Sequence, residues 1–153
     1  PDDYLTSLSD VRVAASWADI LNYADRSGAT YVAESKRHGL IGFVDCGPLR
    51  GGKQTRGEIS SIYLLSAWQR KGLGRRLLAS AARHLAALGY QSLAIWALEA
   101  NHARGFYEAM GGELADQRQI RFAGAVLDEV CYRWPEIVSL LLADVVAEHA
   151  RTR

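Results

Sequence analysis

The 153-residue sequence predicts an α+β domain in which two helices cross an antiparallel sheet. Two hairpin patterns supply most of the strands: paired runs rich in β-branched and aromatic residues, joined by short turns that contain glycine. An amphipathic helix pattern and a shorter one lie between the hairpins. The composition, with 49% apolar and 23% charged residues, is ordinary for a globular chain with a core, so we interpret residues 1–153 as a single domain.

The first four predicted elements are one helix and three strands. Apolar residues repeat in helical phase over residues 3–24. Two β-branched runs, 30–35 and 40–46, flank His38-Gly39 and predict a hairpin. A third strand follows at 58–65, where apolar and polar residues nearly alternate.

A short turn then leads into the longest predicted helix. Gln69–Gly74 reads Q-R-K-G-L-G, and the leucines and alanines between Leu73 and Leu88 fall on one helical face. Gly89 ends this helix as a C-cap glycine does, and a strand is predicted at 92–98.

The remaining elements form a second hairpin between two helices. They are a short helix at 101–110 closed by Gly111-Gly112, strands at 113–122 and 125–134 turning at Ala123-Gly124, and a final helix at 136–150. Pro135 suits the first turn of that final helix. Its apolar side has two interpretations, namely packing on its own domain, or docking on an exposed sheet edge or on a second copy, which would make a homodimer.

The turn Gln69–Gly74 has the features of a diphosphate site. Glycine lacks a Cβ, so the backbone can approach a ligand, and the N–H groups at a helix start favour an anion. Arg70, Lys71 and Arg75 add positive charge. The turn is neither a Walker loop nor a dinucleotide fingerprint, because Lys71 precedes the glycines and G-x-G-x-x-G is absent. An ordinary strand-to-helix turn with a solvated basic rim remains the alternative.

With its flanks, this stretch resembles the GNAT superfamily of N-acetyltransferases. The resemblance rests on a strand, Q-R-K-G-L-G, a helix, a strand and then N…A-R-G-F-Y-E-A-M-G-G, and it spans roughly residues 30–134. It implies a mixed, mostly antiparallel central sheet flanked by helices, and acetyl-coenzyme A as the acetyl donor. The chain departs from the family pattern at its start, where it lacks the usual first strand and helix.

The resemblance also implies which residues hold the cofactor. Backbone groups of Ile62, Tyr63 and Leu64 would line the pantetheine arm, and an N–H near Leu64 would polarise the thioester carbonyl. The strand must splay from its neighbour to expose them, so we expect a bulge near Leu64–Leu65. The diphosphate would lie on the N–H groups of Arg70, Lys71, Gly72, Leu73, Gly74 and Arg75.

Two side chains are the candidates for proton transfer. In the family, the tyrosine matching Tyr107 often protonates the departing thiolate, and the alternative is a core aromatic beside Phe106. Glu58 is the leading general base, and alternation would place it on one strand face with Ser60 and Ile62. The alternative for Glu58 is a surface carboxylate, and Glu99 is the second choice of base.

Asn101 matches a family asparagine that often binds the pantetheine arm. The spacing to Tyr107 is one residue shorter than usual, which would turn Asn101 by about 100° if both lay on one helix. Asparagine is also a good N-cap, so both interpretations stay open.

Other features narrow the class. A net charge of +1 argues against a general nucleic-acid binder. We expect no membrane segment, a cytoplasmic location, no metal site, and buried free thiols at Cys46 and Cys131. Neither motif contains a cysteine as a covalent carrier, which favours direct transfer in a ternary complex.

The function predicted from the sequence is acetyl-coenzyme A-dependent N-acetylation of a primary amine. The acceptor is a small-molecule amine or a protein N-terminus. Two other classes stay open: a non-catalytic acyl-coenzyme A-binding module of the same fold, and a transferase that uses a nucleoside diphosphate.

Overall fold

The computed structural model describes residues 27–49 and 56–142. Their elements are β1 (Ala29–Ser35), β2 (Gly39–Pro48), β3 (Arg56–Leu64), α1 (Leu73–Ala87), β4 (Ser92–Leu98), α2 (Arg104–Ala109), β5 (Glu113–Phe122) and β6 (Ala125–Trp134). A 3-10 turn, Ser66–Trp68, precedes α1, and residues 138–142 are helical. The predicted helix at 3–24 and most of the predicted final helix fall outside the described residues. The expectation that the chain lacks the first strand and helix of the family also concerns residues outside the described part.

The described strands form one sheet in the order β1-β2-β3-β4-β6-β5. β3 and β4 are parallel, and α1 is the crossover between them, as a parallel connection requires. The other neighbouring pairs are antiparallel. The predicted mixed and mostly antiparallel sheet is therefore confirmed, and so are both hairpins.

β3 and β4 separate part-way along their length. They pair only from Arg56 opposite Ser92 to Ile59 opposite Ile95. Beyond that point, residues 60–64 of β3 and 96–98 of β4 do not pair with each other, and we call the space between them the opening. The predicted splay of β3 from its neighbour is confirmed.

A β-bulge lies where the two strands begin to separate. In the β2–β3 ladder, Asp45 is opposite Ser61 and Cys46 is opposite Ile59, so Ser60 is the extra residue. The prediction of a bulge near Leu64–Leu65 was wrong, because the bulge lies four residues earlier, at Ser60. The family resemblance implies that β3 splays, but the pairing with β2 determines where the splay begins.

The bulge redistributes the side chains of β3 between the two faces of the sheet. Ile59 is opposite Cys46 and Ile62 is opposite Val44, and both partners belong to the core that α1 covers. Ile59 and Ile62 therefore share the face that packs on α1. Glu58 precedes Ile59 and faces the other side, so the prediction that Glu58 and Ile62 share a face was wrong.

Both helices end in the same glycine-dependent motif. In α1, the Tyr90 N–H donates to the Leu85 carbonyl and the Gly89 N–H donates to the Ala86 carbonyl. The equivalent bonds close α2 at Gly111 and Gly112. Gly89 and Gly111 have φ values of 88° and 80°, so the left-handed geometry explains why glycine ends each helix.

The remaining predictions for the fold concern the second turn and the cysteines. Ala123 and Gly124 have φ values of 48° and 81°, the paired positive values of a tight hairpin turn. Cys46 and Cys131 are buried free thiols, as predicted. Burial raises the pKa of Cys46 to about 11 and also raises the pKa of Cys131.

Candidate active site

The start of α1, the end of β3 and α2 meet at the opening. A Cβ on Gly74, in the first turn of α1, would lie 3.4 Å from the ring of Phe106 in α2, so the two helices touch there. Tyr63 of β3 is near enough to Tyr107 of α2 for its charge to contribute to the raised pKa of Tyr107. The motifs that the sequence separates by about thirty residues are thus brought together.

The backbone of the turn before α1 presents donors to this region. Arg70 and Gly72 both have positive φ, 61° and 80°. Gly72 is the N-cap of α1, no side chain caps the helix, and its first turn holds no acidic residue. The N–H groups that begin α1 therefore have no side-chain acceptor in the described part of the chain, which fits an anionic ligand.

The three cations of the turn are not equivalent. The Lys71 ammonium donates to the Ala67 carbonyl at 2.9 Å and lies 5.2 Å from the centre of the Trp68 ring, so it folds back over the 3-10 turn. Arg70 is exposed. The Arg75 Nε is buried without a hydrogen-bond partner among the described residues, a donor that a bound phosphate oxygen would satisfy.

The end of β3 exposes backbone toward the opening. Ile62 and Leu64 pack partly against the core, whereas Tyr63 is 63% exposed. The Gln69 side chain donates to the Leu64 carbonyl at 3.1 Å and ties the turn to the strand. Gly42 is required opposite this segment, because a Cβ there would lie 2.7 Å from the Tyr63 carbonyl oxygen.

Tyr107 is a buried aromatic at the edge of the opening. Its ring lies 5.6 Å from those of Phe106 and Tyr132, and the residue is 3% exposed. Burial, and next the charge of Tyr63, raise the pKa of Tyr107 to about 12. The phenol therefore keeps its proton throughout the physiological range. This position is compatible with both interpretations of Tyr107, a core aromatic and a hydrogen-bond donor to a ligand.

A hydrogen-bonded group that sequence reasoning missed holds α2 on the sheet. The fully buried Tyr132 of β6 donates to Glu108 Oε1 at 2.6 Å and accepts from Arg104 Nε at 3.0 Å. Arg104 also donates to the Glu99 carbonyl. The spacing of Arg104 and Glu108, four apart on one helix, was the available signal, but nothing in the sequence indicates Tyr132 as their shared partner.

Asn101 does not lie on α2, which begins three residues later than predicted. Its Oδ1 accepts from the Ala103 N–H at 2.8 Å, and the N-cap of α2 is Ala103. The predicted N-cap role was therefore wrong in position, because Asn101 stabilises the turn before the helix. The rotation expected on a shared helix does not apply.

Glu58 is buried, with 6% of its surface exposed, so its interpretation as a surface carboxylate was wrong. It lies opposite Gly47 and beside Ala94, on the face away from α1. Its charge contributes to raising the pKa of Cys131 on the same face. The structure thus places Glu58 and Tyr107 on opposite faces of the sheet, with Glu58 in the part of β3 that still pairs with β4, next to the closed end of the opening. Glu99 is exposed at the end of β4.

Two further findings are negative. Among residues 27–49 and 56–142, no group of histidine, cysteine and carboxylate side chains is arranged to hold a metal ion. Over the same residues, no helix has the length and apolar character needed to span a membrane.

The sequence comparisons agree with this geometry. Residues 2–112 match the profile described as the Acetyltransferase (GNAT) family. The uncharacterized N-acetyltransferase YuaI of Bacillus subtilis (strain 168) is 34% identical over 142 residues, which cover 92% of this chain and 79% of the relative. The chain belongs to the GNAT family and is an N-acetyltransferase.

Solved structures support the fold. The ribosomal-protein-alanine N-acetyltransferase from Brucella melitensis is similar with a TM-score of 0.66 at 22% identity, over 84% of this chain and 80% of that one. A Bacillus subtilis acetyltransferase in complex with CoA is similar with a TM-score of 0.57 at 20% identity, over 75% and 81% of the two chains.

Proposed function

We propose that this protein transfers the acetyl group of acetyl-coenzyme A directly to a primary amine, in a ternary complex. The observation that carries the proposal is the opening, where the end of β3, the uncapped start of α1 and Tyr107 meet. A thioester bound in the opening would lie between the backbone at the end of β3 and the Tyr107 hydroxyl. Family membership and the coenzyme A complex of a structural relative support the donor.

The diphosphate binds at the turn before α1. The N–H groups from Arg70 to Arg75 face the anion, with Gly72 and Gly74 allowing a close approach, and the buried Arg75 Nε supplies a further donor. Leu73 contributes only its backbone N–H group. Lys71 also contributes through its backbone, because its ammonium donates to the Ala67 carbonyl.

The pantetheine arm runs along the end of β3. Ile62, Tyr63 and Leu64 have no β4 partner, so their backbone groups on that side are available to its amides. An N–H near Leu64 stabilises the oxygen of the tetrahedral intermediate. Asn101 borders the same region from the turn before α2 and is a further contact for this arm.

Tyr107 assists departure of the coenzyme A thiolate. Because its pKa is about 12, above that of an ordinary thiol, a completed proton transfer is uphill. Its main contribution is therefore a hydrogen bond that strengthens as negative charge develops on sulfur. The buried ring contacts with Phe106 and Tyr132 fix the direction of that donor.

The acceptor amine enters from the face opposite α1. That face carries Glu58 at the closed end of the opening, where it removes the amine proton directly or through water. Glu58 would take the proton of the amine as it adds to the thioester carbonyl, and the Tyr107 hydroxyl would stabilise the negative charge on sulfur as the tetrahedral intermediate releases the thiolate. The acceptor is a small-molecule amine or a protein N-terminus, and the name of the Brucella relative fits the second class.

Direct transfer is favoured over a covalent acyl-enzyme. The two cysteines are buried, and burial raises the pKa of each above its ordinary value. A thiol protonated at neutral pH is a poor nucleophile.

Membership of the N-acetyltransferase family argues against the non-catalytic acyl-coenzyme A-binding module that the sequence left open.

The experiment that tests the proposal is calorimetric titration with acetyl-coenzyme A, with ADP as the control, followed by an amine panel assayed for free thiol release. We expect acetyl-coenzyme A to bind much more tightly than ADP. Equal binding of the two would favour a nucleotide-dependent transferase instead, and no binding of either would contradict the proposal.

A further inference from the structure

We propose that Asp45 and Ser60 form a lock that holds the β3 bulge, and that both act as positioning residues for the backbone of residues 62–64. The inference rests on the proposed function, because that backbone is where the pantetheine arm is proposed to bind. The lock consists of residues of the sheet itself, and it lies at the point where β3 leaves β4.

Hydrogen bonds join the bulge to the neighbouring strand. The Ser60 hydroxyl donates to Asp45 Oδ2 and lies 3.2 Å from the Asp45 carbonyl oxygen. The other carboxylate oxygen of Asp45 accepts from the Thr30 hydroxyl at 2.7 Å. One carboxylate on β2 therefore ties the extra residue of β3 to β1 across three strands.

The hydrophobic pattern requires a bulge but leaves its position open. Ile59 and Ile62 are three residues apart, yet both face the core, which regular alternation forbids. The extra residue is therefore Ser60 or Ser61, and neither small polar side chain gains from burial. The hydrogen bond from Ser60 to Asp45 makes Ser60 the extra residue.

The lock also opposes loss of the bulge. If β3 straightened, residues 62–64 would shift by one position and every side chain among them would change face. Ile62 would leave the core and Tyr63 would enter it. The backbone groups proposed to contact pantetheine would then point toward β2 instead of into the opening. Cofactor binding should therefore depend on the lock, whereas Tyr107 is held by Tyr132 on the other side of the opening.

The test uses three variants of the full chain. Ser60→Ala removes the lock, Ser60→Thr keeps the hydroxyl, and Thr30→Val removes the other hydrogen bond to Asp45 without touching the bulge. For each we would measure coenzyme A affinity by calorimetry, kcat and KM for acetyl-coenzyme A, and hydrogen–deuterium exchange over residues 60–65 without ligand.

For Ser60→Ala we expect coenzyme A affinity to fall roughly tenfold or more, as expected when a hydrogen bond to a charged group is lost. KM for acetyl-coenzyme A should rise in parallel, with kcat within about twofold of wild type. Exchange over residues 60–65 should accelerate. Ser60→Thr should keep coenzyme A affinity and the exchange rate near those of wild type. Thr30→Val should change both quantities much less than Ser60→Ala does.

Wild-type affinity and wild-type exchange in Ser60→Ala would overturn the proposal. Equal losses in Ser60→Ala and Thr30→Val would also overturn it, because Asp45 would then be a general brace of the sheet. The exchange measurement needs no cofactor, so it tests the lock separately. Failure of the wild-type protein to bind coenzyme A would contradict the proposed function. The exchange rates of residues 60–65 would still show whether Ser60 holds the bulge.

Discussion

The two sides of the opening are built from different parts of the chain. On the β3 side the important features belong to the backbone: a bulge at Ser60, a left-handed Gly72 and an uncapped helix start. On the β4 side they belong to side chains, with Tyr107 packed on Tyr132 and Tyr132 joined by hydrogen bonds to α2. A ligand can therefore be held by backbone groups that every residue carries, whereas its chemistry needs specific side chains.

This difference has a consequence for substitutions. Apart from the Asp45–Ser60 lock, the β3 side should tolerate changes of side chain but not an added Cβ at a close approach, and its defects should appear in cofactor affinity. The β4 side should be sensitive to the loss of single polar atoms, and its defects should appear in kcat. Substitutions and alkaline pH should separate the two sides.

Tyr107→Phe should lower kcat on the order of tenfold to a thousandfold, with little change in coenzyme A affinity. The substitution removes the donor to the thiolate but keeps the ring contacts with Phe106 and Tyr132. Steady-state kinetics with calorimetry measures both quantities. Tyr90→Phe, at the far end of α1, is the matched control. Unchanged turnover in Tyr107→Phe would remove the donor role.

Gly72→Val should weaken coenzyme A binding by roughly tenfold or more. The substitution forces a β-branched residue into a left-handed backbone and inserts a side chain where the diphosphate is proposed to bind. Gly89→Val is the control, because Gly89 has a similar φ of 88° at the other end of α1 and open space around it. Both variants should lose about 1–2 kcal/mol of stability, but only Gly72→Val should lose cofactor affinity. Equal coenzyme A affinities of the Gly72→Val and Gly89→Val variants would contradict the proposed diphosphate site.

Tyr132→Phe should destabilise the protein by about 1–3 kcal/mol, because a buried hydroxyl that bridges Arg104 and Glu108 is removed. We also expect a severalfold fall in kcat, with KM for acetyl-coenzyme A nearly unchanged, since α2 carries Tyr107. Glu108→Gln keeps an acceptor for Tyr132 and should have a smaller effect. Chemical denaturation and steady-state kinetics of the Tyr132→Phe and Glu108→Gln variants measure these effects. A change in KM alone would mean that Tyr132 supports cofactor binding, like the β3 side, and not the position of Tyr107.

Stability should decline in alkali, and part of the decline should come from Tyr107. Its pKa is raised from 10.0 to about 12 in the folded protein, so the stabilisation is present below pH 10 and is lost as the pH rises toward 12. The loss should reach about 1 kcal/mol between pH 10 and 11.

Cys46 acts in the same direction from pH 9 to about 11, so the comparison with Tyr107→Phe isolates the tyrosine. The measurement is the free energy of unfolding of both proteins at pH 9, 10 and 11. Parallel pH profiles for wild type and Tyr107→Phe would contradict the raised pKa.

Much of the fold could be predicted because its signals are local. The bounds of β4, β5 and β6 are those predicted from alternation and turn residues, and Gly89 ends α1 as expected. Such features depend on residues a few positions apart, through periodicity and backbone sterics. The family resemblance added the mixed character of the sheet and the splay of β3, which propensity alone does not indicate.

Tertiary structure decided the features that join distant segments. The position of the bulge depends on Asp45 in another strand, the partner of Arg104 and Glu108 is Tyr132 of β6, and the burial of Glu58 depends on the face that the bulge assigns to it. A local pattern predicts which face of a sheet a residue prefers. Which residues pair, and which become buried, depends on how strands that are far apart in sequence align in the sheet. The sequence therefore determined the elements and the motif residues, and the packed sheet determined how those residues are arranged around the opening.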